Sequence, residues 1–458
     1  MKINARLTPK KLSPKIDHVF EIAAHKVAAL DKDWNPSGGT PVFTVRGKYT
    51  SRGWTEWTQG FQFGNAILVF DATGDETMLK LGRERTVRHM ASHVSHTGVH
   101  DHGFNNVSTY GNLRRLMREG RMPFNQAEMD FYELALKASG AVQAARWSTT
   151  AYGTGYIYSF NGPHSLFSDT IRSLRALVVA DRLGHVLMGE GDKPINLLAR
   201  AAEHAKTTAR FNVYYGEGRD SYDVGGRVVH ESIFNCNDGN YRCPSTQQGY
   251  SPFTTWTRGA SWIISGAAEQ LEFLQTLKTS DFEAAGAGTR KDLESILLRM
   301  VLATSDHYID SYSCVDGIPY WDDGAPNIHR LGDYRKKPAD PFNEWEPVDS
   351  SAAAIAAQGF VRLGNYLASK GDKRASRYLQ AGLTVAATLF EEPYLASDRK
   401  HQGLLLHSVY HRPNGWDFVP SKLKVPCGES SMWGDYHLLE LALLIKRMAE
   451  GREYLTFF

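Results

Sequence analysis

Apolar residues recur at helical spacing in about a dozen segments of this chain, and the segments arrive in pairs. The clearest run Gly60–Ala72, Glu76–Ala91, Gln126–Ala145, Ser168–Leu183, Ile195–Arg210, Thr255–Leu277, Lys291–Ile309, Ser350–Ser369, Arg374–Phe390 and Ser430–Met448. Two pairs share nearly the same short turn, Thr73-Gly74-Asp75-Glu76 and Lys370-Gly371-Asp372-Lys373, in which Gly stops one helix and Asp caps the next. That is a helical hairpin, repeated. The 458 residues exceed what one ordinary core accommodates. One all-α ring of six such hairpins over 1–458 would house them without a second domain, each hairpin burying its face against its neighbours. A multi-helix globule or a pair of bundles would show the same periodicity.

Two long loops rich in Gly, Asn, Asp, Trp and Tyr, Tyr214–Thr254 and Asp316–Pro347, interrupt the helices. Loops of that length in a compact domain usually carry function, and in a ring they are expected to gather at one rim and wall a pocket. With 52 basic and 50 acidic side chains the chain lacks the broad positive field that nucleic acids or anionic membranes require, so neither is expected as a partner. The 10 Trp, 21 Tyr and 21 Phe exceed what a helical core needs and suit the apolar faces of sugars. No CxxC metal spacing occurs, and a Cys236–Cys243 disulfide is left open. The stretch Met1–Pro14 has no apolar run long enough for a signal or anchor, so a cytoplasmic protein is expected, or a periplasmic one already trimmed.

Four histidines and an aspartate crowd the segment His93–Phe104, a composition costly to bury unless its groups are partnered. His96 and His100 are spaced i, i+4 and would share a face for a metal if the stretch were helical, but Gly98 and Gly103 argue for a loop. No metal or cofactor is expected. Asp169 stands immediately before the apolar series Ile171, Leu174, Leu177 and Val178, at a helix start. A carboxylate there is favoured as the anion, so an acid role needs burial or a neighbouring negative charge to lift its pKa, for which Asp101 is the candidate. Arg258 and Trp262, also i, i+4, would set a fixed cation beside an indole plane, which suits a sugar acid; an Arg covering a core Trp is the plainer alternative. The runs around Asp349-Ser350-Ser351 and Gly428–Tyr436 read as helix openings.

Taken together, His100-Asp101-His102-Gly103-Phe104, Asp169-Thr170, Gln248-Gly249-Tyr250, Thr257-Arg258-Gly259 with Trp262, Pro319-Tyr320-Trp321-Asp322, Asp349-Ser350-Ser351-Ala352-Ala353 and Trp433-Gly434-Asp435-Tyr436 resemble the unsaturated glucuronyl hydrolases, in the same order and across nearly the whole chain. The resemblance implies an (α/α)6 barrel with a deep pocket at one end. It implies a glycoside hydrolase that hydrates the C4=C5 bond of a terminal unsaturated uronic acid, the adduct then opening by itself. Asp169 would be the general acid and base and Asp101 its helper. His100, with His102 beside it, and Gln248, Arg258 and Trp262 would bind the uronate. Where the family commonly has Ser-Tyr-His, this chain reads Ser221-Tyr222-Asp223, so Tyr222 and Asp223 are expected at the substrate. Phe160 or Tyr158 stands in for the family's pocket Trp. The Asp223 departure keeps a saturated exo-β-glucuronidase open, with Asp169 and Asp101 as an acid and base pair. The histidine-rich loop keeps a sugar epimerase open, and a non-catalytic sugar-binding protein is the third class. The partner expected in the main reading is an oligosaccharide ending in a uronic acid.

Overall fold

Burial sorts the long helices into two interleaved sets of six. The computed structural model describes residues 1–458. One set comprises α1 (Pro9–Asp33), α3 (Glu76–His89), α5 (Gln126–Ala145), α7 (Leu197–Phe211), α9 (Arg290–His307) and α11 (Ala375–Leu389). The other comprises α2 (Gln59–Thr73), α4 (102–118), α6 (170–182), α8 (Thr257–Gln275), α10 (Ser350–Ser369) and α12 (Met432–Glu450). A π turn at Val107–Gly111 lies within α4, and α6 is broken at Leu174. In α2 every residue from Gln59 to Asp71 is buried, and in α8 every residue from Thr257 to Leu274. The odd-numbered helices leave part of their surface unburied, and α1 buries a single stripe that includes Leu12, Ile16, Val19, Phe20, Ala23 and Leu30. A helix buried all round belongs inside and one with a single apolar stripe belongs outside, so the even set forms an inner ring and the odd set an outer one.

The inner helices pack in chain order, each on the next, and α12 returns to α2. The ring is therefore closed: an (α/α)6 toroid. Its seam is sealed by α1, which packs on both α12 and α2. Glycines sit where inner helices cross. A Cβ on Gly60 of α2 would lie 2.3 Å from the Asn105 backbone of α4, and one on Gly103 of α4 would lie 2.3 Å from that of Ser173 in α6. Gly266 of α8 meets α6 in the same way, and Gly359 of α10 meets α8. Only a residue without a side chain permits this approach. Gly103 is thus a helix residue required by packing, while residues 95–101, with His96 and His100, form the loop that was expected.

Both anticipated hairpin turns form. Gly74 ends α2 in the left-handed region at φ 77°, and Asp75 caps α3 by accepting from the Thr77 amide. Gly371 adopts φ 70°, and Asp372 accepts from the Arg374 amide at 2.9 Å. Below the pocket the ring axis holds a buried ionic cluster. Arg172 donates to both oxygens of Glu269 at 2.9 and 3.1 Å and to Glu440 at 2.8 Å, Arg362 donates to Glu272 at 2.7 Å, and Arg175 lies 3.7 Å from Glu440. Three arginines face three glutamates there, so the cluster is neutral overall.

A hairpin of β1 (Thr40–Val45) and β2 (Lys48–Arg52) and a sheet of β3 (Ser165–Phe167), β4 (Glu231–Phe234) and β5 (Tyr241–Ser245) sit among the loops, with two smaller strand pairs. Cys236 and Cys243, close to β4 and β5, are both free and exposed. No helix is long and apolar enough to cross a membrane.

Candidate active site

The inner helices all begin at the same end of the ring, around a cavity of about 800 Å³. His100, Asp101 and Phe104 line it from the start of α4, Asp169 from the start of α6, Arg258 and Trp262 from the start of α8, and Glu56 and Trp57 from the approach to α2. The other two helix starts stand behind this wall. Asp349, the cap of α10, accepts from Arg258 at 3.1 Å, and Trp433 at the start of α12 stacks on Trp57 with centroids 5.1 Å apart. Helix N-termini carry unpaired amides and partial positive charge, so this convergence favours an anionic ligand before any side chain is counted.

At the cavity floor His100 Nε2 lies 3.0 Å from Asp169 Oδ2 and 3.8 Å from Asp101 Oδ1. The imidazole nitrogen and one oxygen of each carboxylate all fall within 4.8 Å of one another. Both aspartates hold cap positions yet neither side chain makes a cap bond, so both are free to turn inward. Sheet pairing aims Asp169: it follows β3 directly, and the Ser168 amide donates to His230 O at 2.9 Å. His100 is held from behind, its carbonyl accepting from Gln143 Nε2 at 2.9 Å and Ser173 Oγ at 2.7 Å. The same three side chains are the group here that could hold a divalent cation, although the His100–Asp169 hydrogen bond already pairs two of the three donors.

Electrostatics separate the two acids. Burial lifts Asp101 above the ordinary carboxylate range, and the Asp169 charge adds to this against the pull of His100. Burial pushes Asp169 the same way, but the hydrogen bond and charge of His100, together with His230, outweigh it and hold Asp169 below its usual value. His100 would be lowered by burial, yet the Asp101 charge and the Asp169 hydrogen bond raise it. The three groups are thus separated in acidity, Asp101 pushed up and Asp169 held down with His100 raised beside them. Environments that push two titratable groups apart mark an acid and base pair. The sequence reading expected Asp169 to be the raised group; His100, which it did not weigh as a partner, reverses the order.

Of the expected binding residues, His100, Gln248, Arg258, Trp262 and Phe160 line the cavity. Phe160 is 55% exposed and lies parallel to His100, offering a free ring face at the wall. Arg258 serves differently from expectation. Its N–H groups go to Asp349, to Gln248 Oε1 at 2.8 Å, to Tyr410 O at 2.9 Å and to Val409 O, and its guanidinium lies between Trp256 and Trp433, at 4.7 and 4.9 Å, and not on Trp262. It orders Gln248 and two loops. His102 does not reach the cavity: its ring bonds Ser139 Oγ and His96 O, both at 2.9 Å, and burial drops it to about 4. Tyr222 and Asp223 are also elsewhere. Tyr222 stacks on Phe253, and Asp223 accepts the amides of Gly216, Glu217 and Arg219, ordering its own loop.

The walls are likewise not the two long loops as a whole. From Tyr214–Thr254 only Thr246, Gln247 and Gln248 with Gly249 just behind reach the cavity edge, and nothing from Asp316–Pro347 lines it. The remaining wall comes from Arg52–Trp57 and from Tyr410, His411, Asn414 and Trp416. Sequence reading missed these and missed His230, which is buried between Phe167 and Trp256 with Nδ1 accepting from the Gln247 amide at 3.1 Å. The signal available was composition, a clustering of Arg, Trp, Tyr and His in 52–57 and 410–416.

A closed six-hairpin ring with a carboxyl pair on the floor of an aromatic-walled cavity is the arrangement of an (α/α)6 glycoside hydrolase. No protein-family model matches the chain. It is 27% identical over 419 residues to the unsaturated glucuronyl hydrolase of Bacillus sp. (strain GL1), covering 89% of this chain and 90% of that one. It is 25% identical over 389 residues to the unsaturated glucuronyl hydrolase of Formosa agariphila, covering 84% and 78%. The solved structure of the Bacillus sp. GL1 protein superposes with a TM-score of 0.68 at 22% identity over 95% of this chain and 97% of that one. The unsaturated glucuronyl hydrolase from Streptococcus agalactiae gives 0.69 at 19% identity, covering 100% and 99%. Along most of its length the chain is thus similar to unsaturated glucuronyl hydrolases, and it shares their fold.

Proposed function

We propose that this protein removes a Δ4,5-unsaturated glucuronic acid from the non-reducing end of an oligosaccharide by hydrating its C4=C5 bond. The observation that carries the reading is the floor of the cavity, where two carboxyl groups of separated acidity lie with His100 inside 4.8 Å. The names of the Bacillus and Formosa relatives support it, as does a structure of a Streptococcus agalactiae unsaturated glucuronyl hydrolase variant complexed with dGlcA-GalNAc6S.

In this mechanism the helix N-termini draw the uronate into the pocket, and Phe160 packs on a ring face. The proton held by Asp101 passes through the carboxyl pair to C4, while Asp169, kept ionised by His100, takes a proton from the water whose oxygen bonds to C5. The C5 hemiketal then opens and frees the remaining chain, and the proton on Asp169 returns to Asp101. No net proton is consumed. The saturated β-glucuronidase reading loses its ground, because it rested on an acid at position 223 facing the substrate. The epimerase reading needed His102 at the substrate, and His102 points away.

The test offers both an unsaturated uronyl disaccharide and a saturated β-glucuronide. Loss of the conjugated-alkene absorbance with the first and no glucuronate released from the second is expected. If neither is consumed, or if Asp169→Asn leaves every activity unchanged, the reading fails.

A further inference from the structure

Two arginines line the cavity, each held against a pair of aromatic rings, and they differ in what their donors do. Arg258 is buried and its N–H groups are taken by Asp349, Gln248 and two loop carbonyls. Arg52, the last residue of β2, is exposed, with its guanidinium 4.5 Å from the Trp416 ring centre and 5.3 Å from that of Tyr410. It makes no ion pair and no side-chain hydrogen bond with the protein. Its nearest acidic influence is on Glu56, whose own hydrogen bond goes to the Trp57 amide at 3.2 Å. An aromatic cage fixes a guanidinium at low entropy while leaving its planar fork of donors open, which is the geometry for bidentate capture of a carboxylate or sulfate.

Position decides which anion. The reacting carboxyls are buried at the floor, whereas Arg52 stands at the mouth beside Trp416, itself 42% exposed. A sugar seated on Asp101 and Asp169 fills the floor, so a group that meets Arg52 belongs to the next residue of the glycan. We infer that Arg52 is a specificity-determining residue that binds an anionic group, a sulfate ester or a carboxylate, on the sugar adjoining the terminal uronic acid. This rests on the proposed function for what lies at the floor.

The test uses three unsaturated uronyl disaccharides whose second sugar is neutral, sulfated or carboxylated. The parent protein is expected to turn over at least one anionic disaccharide with a kcat/KM about tenfold above the neutral one, an advantage that shrinks as salt is added. Arg52→Gln is expected to erase that preference through KM while leaving the neutral disaccharide within about twofold, and Arg52→Lys to restore part of it. Whichever anionic disaccharide loses its advantage identifies sulfate or carboxylate as the group bound. Equal rates of the parent on all three, or an equal loss on all three in Arg52→Gln, overturns the inference. Calorimetric titration of the three into Asp169→Asn, with and without Arg52→Gln, reads the same preference without turnover. Failure of the parent to hydrate any of them would therefore sink the proposed function while the binding ranking still decides Arg52.

Discussion

Two clusters of buried charge occupy the interior of this ring, one at the cavity floor and one on its axis, and they are balanced in opposite ways. On the axis Arg172, Arg175 and Arg362 face Glu269, Glu272 and Glu440, with direct hydrogen bonds tying α6 to α8 and α12 and α10 to α8. At the cavity floor two aspartates share one histidine: burial lifts Asp101, while the hydrogen bond and charge of His100 outweigh burial and lower Asp169. A neutral, fully paired cluster holds helices in register. An unbalanced one, kept from solvent yet open to a cavity, holds a proton ready to move. Burial is common to both, so burial alone does not distinguish a structural ion pair from a reactive one; charge balance does.

The sharpest way to break this contrast is at the cavity floor. Asp169→Asn and Asp101→Asn are each expected to lower kcat by about a thousandfold, the order typical of losing a positioned acid or base, with a smaller fall in unfolding stability than the axis variants show. A large fall in stability with intact activity would reverse the assignment of the two clusters. On the axis the opposite is expected. Arg172→Met or Glu440→Gln leaves a buried charge without its partner, at a cost of about 3–5 kcal/mol in denaturant unfolding, while kcat per folded molecule changes far less.

pH sharpens the comparison. Asp169 is lowered in the folded protein, so its stabilising contribution is present above the ordinary carboxylate range and is lost as pH falls through its folded value. His100 is raised, so its contribution is complete below its ordinary value and is lost as pH rises through its folded value. The pair is fully formed only between those limits. In His100→Asn the Asp169 carboxyl loses its hydrogen bond and neighbouring charge, so the acid limb of kcat/KM is expected to move to higher pH. An acid limb that stays in place would show that Asp169 titrates independently of His100.

Smaller effects follow at the walls. Phe160→Ala is expected to raise KM about three- to tenfold, the range of one aromatic contact, with little change in kcat. Tyr222→Ala and Asp223→Asn, outside the cavity, are expected to leave kcat/KM within about twofold, as surface changes away from a site do.

What the residues disclosed follows from how local each signal was. The inner helices α8, α10 and α12 were legible because helical periodicity and caps are written within one segment, and α10 began and ended where its Ser and Ala pattern said. α1 was passed over because Pro14 and a lysine-rich start hide its apolar stripe, although Thr8 caps it and Pro9 opens it. The helical start of α4 was hidden by Gly103, whose reason is a neighbouring backbone and not its own chain. Asp101 and Asp169 were read as partners from the order of several motifs; His230 was not, because only the pairing of β3 with β4 brings it near Asp169, and Arg52 was not, because the rings that hold it, Tyr410 and Trp416, lie far off in the sequence. Tyr222 and Asp223 were misplaced by reading a position in a motif as a position in space.

The seam of the ring adds a constraint on how the protein comes into being. The segment carrying Arg52 to Trp57 precedes the first inner helix, and Tyr410, Trp416 and Trp433 belong to the last hairpin, so one lip of the cavity is assembled from segments more than 350 residues apart. Until α12 docks on α1 and α2, the nascent chain has an open flank on each side and an unwalled pocket. The lip that holds Arg52 therefore depends on closure of the ring.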